Sequence, residues 1–270
     1  MHNNVTALVK SPYDIRDYRI VAGTSQYPSS FSVYNDEFEV PVKDQGSKPT
    51  CCAHALASTV EYHNYRQNGN YVKFSTEFIY GLREFGYYVG DGMRIRDGLN
   101  TLVKYGNVPE SDFKGNNDYK KAMERVSANE DSLKEIAYPN RISSYFKIRT
   151  IGELKSALVN HGVVVVGMKV YDYDGLIDDI YVQTAVGSSG GHCVFIYGWD
   201  ERGWLVQNSW GKPYGGDGRF VIPFTFKFEE IWGVVDNITS DADIIKPKTN
   251  KFLNIVYKVI NKIVNFFRKK

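Results

Sequence analysis

Residues 40–55 read Val-Pro-Val-Lys-Asp-Gln-Gly-Ser-Lys-Pro-Thr-Cys-Cys-Ala-His-Ala. Gln45 stands six residues before Cys51, where a run of good helix formers begins. Apolar side chains recur along that run at Ala53, Leu56, Ala57, Val60 and Tyr65. This spacing predicts a helix over residues 51–66 with one buried face and with Thr50 as its cap. A helix N-terminus favours the thiolate form of a cysteine, so Cys51 is the candidate nucleophile.

Two later stretches supply the partners that a cysteine nucleophile needs. Residues 190–194 read Gly-Gly-His-Cys-Val, and residues 207–211 read Gln-Asn-Ser-Trp-Gly. A thiol needs a base, the base needs an orienting partner, and the tetrahedral oxyanion needs hydrogen-bond donors. His192 is the candidate base, and the side-chain oxygen of Asn208, sixteen residues later, would accept a hydrogen bond from its Nδ1–H. The Gln45 amide and the nucleophile's own backbone N–H would bind the oxyanion.

These four residues and their spacing resemble the papain-like cysteine peptidases, and the resemblance runs over residues 40–222. It implies an α+β fold of two lobes, a helical lobe with the nucleophile helix and a β-rich, barrel-like lobe with the histidine and the asparagine. The cleft between the lobes would be the active site. Two positions depart from the family pattern: Cys52 replaces the aromatic residue that usually follows the nucleophile, and Lys48 replaces a disulfide cysteine.

The rest of the chain fits a division into a helical half and a strand-rich half. Helical patterns follow at residues 97–105 and 151–160, and apolar runs between glycine-rich turns predict strands at residues 163–166, 194–197, 204–207 and 219–222. The organisation that results is an extended leader over residues 1–39, a peptidase domain over 40–235, a polar linker over 236–250 and a basic amphipathic helix over 251–270. The leader is shorter than the large inhibitory propeptide of lysosomal relatives.

The resemblance also implies a set of substrate-binding residues. The loop over residues 90–93 is similar to the loop whose backbone pairs with an extended substrate peptide, because glycines permit the close approach of two backbones. A plain turn is the alternative. In this interpretation Gly92, Met93 and Gly191 bind substrate, and Met93 and Gly191 border the pocket for the residue before the scissile bond. Trp210 would shield the histidine–asparagine hydrogen bond from water.

The chain has three cysteines, two of them adjacent, which cannot form the disulfide framework of a secreted relative and favour a reducing compartment. The N-terminal residues contain no apolar run long enough for a signal peptide, and no transmembrane span is expected. We therefore expect a cytoplasmic or peripheral membrane location.

Adjacent cysteines lack the C-x-x-C spacing of a zinc site, so no metal and no cofactor are expected. Cys52, Cys193 and His54 are interpreted as packing residues.

Charge is distributed unevenly along the chain. Eight basic residues follow Asp243, the last acid, which leaves 25 of the 33 basic residues against all 31 acidic residues before it. Over residues 251–267 the polar residues fall three or four positions apart, which on a helix makes a narrow polar stripe and a broad apolar face. Because Lys258 and Lys262 interrupt it, this segment predicts an interfacial helix on an anionic membrane surface or a protein partner. Packing on the chain's own body is the alternative, and no nucleic acid partner is expected.

The sequence thus predicts a thiol protease, a hydrolase that acts on polypeptides. The Cys51 thiolate would attack a peptide carbonyl, a thioester would form, and His192 would act as acid and then as base. Two alternatives stay open at this point. The same residues could transfer an acyl group to an amine or deamidate a glutamine, or the fold could serve as a binding module without catalysis.

Overall fold

The computed structural model describes residues 7–15, 17–20, 26–35, 37–83, 91–115, 118–236 and 244–245. The α-helices in these residues are α1 (Cys51–Asn68), α2 (Thr76–Gly81), α3 (Ile95–Lys104), α4 (Ala122–Ala128), α5 (Glu130–Ala137) and α6 (Ile151–His161). The strands are β1 (Arg19–Ile20), β2 (Phe31–Ser32), β3 (Ser144–Lys147), β4 (Val164–Tyr171), β5 (Gly175–Ile177), β6 (Ile180–Val182), β7 (Ser189–Asp200), β8 (Gly203–Gln207), β9 (Arg219–Ile222), β10 (Glu230–Val235) and β11 (Ile244–Ile245). Helices dominate the first half and strands the second, which confirms the predicted α+β class.

The described strands form one mixed sheet in the order β11-β1-β3-β10-β4-β7-β8-β9-β6-β5, with β2 beside β7. The twelve-residue strand β7 pairs with β4 in antiparallel register, and Met168 lies opposite His192. Strand β4 is buried from Val164 to Met168, as expected of an uninterrupted apolar run covered on both faces. Strand β8 pairs with the other edge of β7. The candidate base therefore lies in an interior strand of the sheet, where pairing with β4 restricts its backbone, whereas the pairing of β7 with β8 begins at Phe195.

Helix α1 begins at Cys51, as predicted, but it is not a half-buried helix. Every residue from Cys51 to His63 is buried, so the prediction of one buried face is wrong. A helix that is surrounded on all sides is a core helix, and the short residues Ala53, Ala55 and Ala57 allow that close packing. Thr50 occupies the N-cap position, yet its hydroxyl is buried without a hydrogen-bond partner among the described residues, so its predicted capping role is wrong as well.

The other predicted elements are present with shifted ends. Helices α3 and α6 match the predicted segments within two residues, and α6 begins with a capping box in which Thr150 and Glu153 bond each other's backbone N–H groups. Strand β9 has the predicted bounds, and β4, β7 and β8 are longer than predicted. Long-range pairing extends a strand beyond its apolar run, because neighbouring strands supply the hydrogen bonds of the flanking residues.

The predicted leader contributes two strands to the sheet. Ile20 in β1 is buried, and β2 pairs with β7 through Phe31 and Trp199. Tyr27 and Phe31 both pack on the Trp199 ring. Residues 251–270, the predicted amphipathic helix, lie outside the described residues. Among the described residues no helix has both the length and the apolar character needed to cross a membrane.

Candidate active site

The side chain of His192 is held by two neighbours from the β-rich half. Its Nε2 donates a hydrogen bond to Asn208 Oδ1 at 2.8 Å, so the nitrogen that faces the asparagine is Nε2 and the prediction of Nδ1 is wrong. Trp210 stacks on the imidazole with ring centroids 4.3 Å apart. The buried Nδ1 has no hydrogen-bond partner in the described part of the chain. With Nε2 protonated, the neutral ring has its acceptor nitrogen at Nδ1, and that nitrogen is available for a thiol proton.

Ser209 connects the candidate base with the candidate oxyanion donor, and the sequence analysis missed it. Its backbone N–H donates to Asn208 Oδ1 at 2.7 Å, and its hydroxyl donates to Gln45 Oε1 at 2.6 Å. The Gln45 Nε2 donates to the Lys48 carbonyl at 2.8 Å, so both ends of this amide are held. Four residues are therefore linked in one hydrogen-bonded chain, in which the Ser209 hydroxyl bonds Gln45 and the Ser209 backbone N–H bonds Asn208, the partner of His192. The Asn-Ser-Trp triplet could have indicated this role for Ser209, because a residue that directly follows the orienting asparagine in the sequence has to lie close to the site.

Cys51 occupies the first position of α1 and is fully buried. Burial raises the pKa of the Cys51 thiol to about 12, and the neighbouring Cys52 thiol adds to this. Burial also lowers the pKa of His192 to about 4, against the opposing effect of its hydrogen bond with Asn208. In this covered arrangement both groups are neutral at pH 7. A thiolate–imidazolium pair needs more solvation than this site provides while it is closed.

The cleft is closed by the chain's own N-terminal residues. Met93 N–H donates to the Ala7 carbonyl at 3.3 Å, and Val9 N–H donates to the Met93 carbonyl at 3.1 Å. Leu8 N–H donates to the Gly191 carbonyl at 2.7 Å. Two predicted substrate-binding residues are thus brought together by a peptide segment in extended form, and that segment belongs to the same chain.

Glycines make this close approach possible. A Cβ atom on Gly92 would lie 1.9 Å from the Ala7 carbonyl oxygen, and one on Gly191 would lie 2.3 Å from the Leu8 carbonyl oxygen. Gly92 also has a φ of +101°, a conformation that L-residues with side chains rarely adopt. Close backbone approach was predicted for the loop that contains Gly92, whereas Gly191 was predicted only to border a substrate pocket. No signal in the sequence indicated that residues 7–9 would be the approaching segment.

The bound segment runs against the direction expected of a substrate. Leu8 pairs with Met93 in a parallel bridge. Leu8 and Val9, which come after Ala7 in the sequence, are the residues whose N–H groups bond Gly191 and Met93. The family resemblance implies that a substrate places the residues before its scissile bond there. The Ala7 N–H points to the Cys51 thiol. The segment therefore presents an amide N–H to the nucleophile where a substrate would present a carbonyl carbon.

The packing residues of the sequence analysis are accounted for in the same region. Cys52 and Cys193 are buried in the core with their thiols within hydrogen-bonding reach, and all three cysteines are free. His54 is buried and its Nδ1 donates to the Thr50 carbonyl at 2.9 Å. Among the described residues no group of three His, Cys, Asp or Glu side chains is placed to hold a metal ion.

Comparison with known proteins agrees with this architecture. The model of a family described as papain family cysteine protease matches residues 27–227. An uncharacterized peptidase C1-like protein of Acanthamoeba polyphaga mimivirus is 27% identical over 231 residues, which cover 78% of this chain and 71% of that protein. A cathepsin B-like cysteine proteinase 5 of Caenorhabditis elegans is 34% identical over 85 residues, 30% of this chain and 25% of that protein.

Solved structures show the same fold. Xylellain, a cysteine protease from Xylella fastidiosa, superposes with a TM-score of 0.74 at 24% identity, covering 87% of this chain and 97% of that one. Digestive procathepsin L 3 of Tenebrio molitor superposes with a TM-score of 0.63 at 16% identity, covering 87% of this chain and 77% of that one. The family model covers well over half of the sequence. The matched residues include all four members of the hydrogen-bonded network, which are Gln45, His192, Asn208 and Ser209. The chain therefore belongs to the papain family of cysteine proteases.

Proposed function

We propose that this protein hydrolyses peptide bonds in polypeptides, with Cys51 as nucleophile and His192 as acid and base. The observation that carries the proposal is the hydrogen-bonded chain Gln45–Ser209–Asn208–His192 beside the start of α1. A buried polar network of this kind restrains an oxyanion donor and a base relative to each other. Such restraint has a direct use in catalysis, where preorganised donors cost no reorganisation during the reaction.

In the proposed reaction the Cys51 sulfur attacks the peptide carbonyl carbon, and the thiol proton passes to Nδ1 of His192. The Gln45 amide and the Cys51 backbone N–H stabilise the oxyanion. The imidazolium then protonates the departing amine, which leaves a thioester on Cys51. Water, deprotonated by His192, hydrolyses the thioester and restores the thiol. Loss of one oxyanion donor typically lowers such a rate by about 10²- to 10³-fold.

The two proposed reactive groups require an open cleft. When residues 7–9 leave, water reaches the Cys51 sulfur and the desolvation that raises its pKa diminishes. A thiolate and an imidazolium then stabilise each other, and the N-terminus of α1 adds to the stabilisation of the thiolate. The Met93 and Gly191 backbone groups become available at the same time to pair with a substrate that runs in the opposite direction.

The test is hydrolysis of a peptide library by the full-length chain, read by mass spectrometry in H₂¹⁸O, with and without an added primary amine. Peptide hydrolysis puts ¹⁸O into one new carboxyl group per cleavage. Acyl transfer would instead yield amine adducts, and deamidation would change a glutamine side chain without cutting the backbone. A second sample treated with an epoxide thiol trap shows whether Cys51 reacts. Modification of Cys51 without turnover of any library member would leave the binding module as the better account and reject the proposal.

A further inference from the structure

We propose that Cys52 and Cys193 form a redox pair that takes over oxidation from Cys51, so that a hydroperoxide which oxidises Cys51 leaves a Cys52–Cys193 disulfide and a free Cys51 thiol. The proposal goes beyond peptide hydrolysis and rests on the proposed function only in taking Cys51 as the reactive thiol. Two observations carry it. Cys193 contacts the sulfur atoms of both cysteines of α1, and all three thiols are free.

Cys193 lies against the two cysteines of α1 in the contact between this helix and β7. Its thiol is hydrogen-bonded with the Cys52 thiol, and its backbone N–H points to the Cys51 sulfur. Successive residues of a strand point to opposite faces, so Cys193 is turned toward the helix, whereas His192 is turned toward Asn208. The Cys193 side chain is therefore within reach of both sulfur atoms of α1.

Cys51 and Cys52 cannot form a disulfide with each other while α1 is intact. They are the first two residues of the helix, and the side chains of successive helical residues point about 100° apart. A disulfide has a narrow range of Cβ separations and dihedral angles, which this arrangement does not meet. An oxidised Cys51 therefore needs a third thiol, and Cys193 is the one cysteine that remains in the sequence.

The three thiols differ in their access to an oxidant. Cys51 borders the cleft, and the N-terminus of α1 favours its thiolate, which is the form that reacts with peroxides. Cys52 and Cys193 are 1% and 0% exposed, and burial raises the pKa of the Cys193 thiol well above its ordinary value. Both buried thiols are therefore inert toward an oxidant in solution, and oxidation reaches them through Cys51.

The proposed steps balance with hydrogen peroxide as the oxidant. The Cys51 sulfur attacks one peroxide oxygen, the O–O bond breaks, and the departing hydroxide takes the thiol proton and becomes water, which leaves a sulfenic acid on Cys51. The Cys193 sulfur then attacks the Cys51 sulfur, the S–O bond breaks, and hydroxide leaves as water with the Cys193 proton. Cys52 next attacks the Cys193 sulfur, and Cys51 leaves as a thiol with the Cys52 proton. Two thiols are thereby oxidised to one disulfide while hydrogen peroxide is reduced to two molecules of water.

The test exposes the full-length protein to a small excess of hydrogen peroxide. Wild type is compared with Cys51→Ala, Cys52→Ala and Cys193→Ala, and a peroxide scavenger stops each reaction. The remaining thiols are alkylated in denaturant, intact mass counts them, and fragmentation of the peptide that contains both α1 cysteines locates the label. Peptidase activity is measured before and after reduction with dithiothreitol.

We expect wild type to lose two hydrogen atoms in mass, to retain one free thiol, at Cys51, and to keep most of its activity. In Cys52→Ala the transfer should stop at a Cys51–Cys193 disulfide, so activity is lost and dithiothreitol restores it. In Cys193→Ala no thiol resolves the sulfenic acid, which proceeds to the sulfinic acid. Its activity should be lost at least about 10-fold faster than that of wild type and should not return with dithiothreitol.

Cys51→Ala is the control for the transfer, because it lacks the reactive thiol and its buried pair should be oxidised at least about 10-fold more slowly than in wild type. A Cys52–Cys193 disulfide that forms at the wild-type rate in this control would overturn the inference. Wild type that loses its activity as fast as Cys193→Ala and contains no such disulfide would overturn it as well. Mass mapping of wild type and Cys51→Ala decides the question even where the other two variants fail to fold. A disulfide that forms through Cys51 in a protein that cleaves no peptide would support the redox pair and reject only the proposed function.

Discussion

Cys51 and Cys52 are adjacent thiols with different surroundings. Cys51 faces the cleft and is touched by the Ala7 backbone, whereas Cys52 packs into the core beside Cys193. Successive residues of a helix point about 100° apart, so only one of two neighbours can face a given cleft. The chemistry of the site therefore depends on where the helix begins.

We predict that Cys51→Ala abolishes peptide hydrolysis and epoxide labelling, and that Cys52→Ala keeps most of both. Removal of a nucleophile typically costs at least about 10³-fold in kcat. Steady-state kinetics on a peptide substrate measures this, with a thermal melt as a control for folding. Retained hydrolysis in Cys51→Ala would exclude this thiol as the nucleophile.

Ser209 is expected to act as a positioning residue through its hydrogen bond with Gln45 Oε1. In Ser209→Ala the Gln45 amide loses one of its restraints, so kcat should fall by about 10-fold, less than the 10²- to 10³-fold of a lost oxyanion donor. KM should change little, because Ser209 does not lie among the residues that bond the peptide segment 7–9 in the cleft. Ser209→Thr, which keeps a hydroxyl, should recover part of kcat. An equal loss in both variants would point to a packing effect.

At the scale of elements, helix α1 positions the candidate nucleophile and also buries two histidines. It is buried all round, so it holds Cys51 firmly, but it also carries His54 and His63 into the core. Burial lowers the pKa of His54 to about 4 and that of His63 to about 3. The His63 Nε2 has no hydrogen-bond partner within the described residues. Both rings are therefore neutral in the folded protein near pH 5.

These depressed pKa values predict a loss of stability in mild acid. Below about pH 6.5 the unfolded chain takes up protons on these histidines, and the folded chain does not until the pH approaches 4. Each such histidine should cost about 2 kcal/mol of unfolding free energy between pH 7 and pH 5. Urea unfolding of wild type and His63→Phe at both pH values measures this. The variant should lose about 2 kcal/mol less than wild type, and equal losses would mean that His63 is protonated in the fold.

At the scale of the whole molecule, the basic C-terminal segment over residues 251–270 leads to a further prediction. Full-length protein should sediment with anionic vesicles and be released as salt rises, because about 1 kcal/mol per basic residue comes from screened attraction to the lipid surface. A chain ending at Asp243 should remain in the supernatant and keep its peptidase activity. Full-length protein that ignores the vesicles would contradict the membrane surface as partner and favour the protein partner or packing on the body.

Short stretches of sequence were enough to predict the features that depend on local pattern. Cys51 at a helix start, Gln45 six residues before it, and the motifs around His192 and Asn208 are all encoded within short stretches. Residue type, helix-starting signals and fixed spacing carry chemical meaning without any knowledge of distant contacts. The family resemblance could therefore be recognised, and with it the two-lobed fold.

The groups that meet across long separations in sequence are visible only in the folded molecule. Ser209 bonds Gln45 across 164 residues, and the Leu8 N–H bonds the Gly191 carbonyl across a still longer separation. The ring nitrogen of His192 that faces Asn208 depends on the orientation of two side chains, which their spacing along the chain does not specify. Burial of α1 on every side likewise results from the sheet and from helices α2 and α3, which all pack against it. Such contacts depend on how separate elements assemble, and each element's own sequence pattern describes only the element.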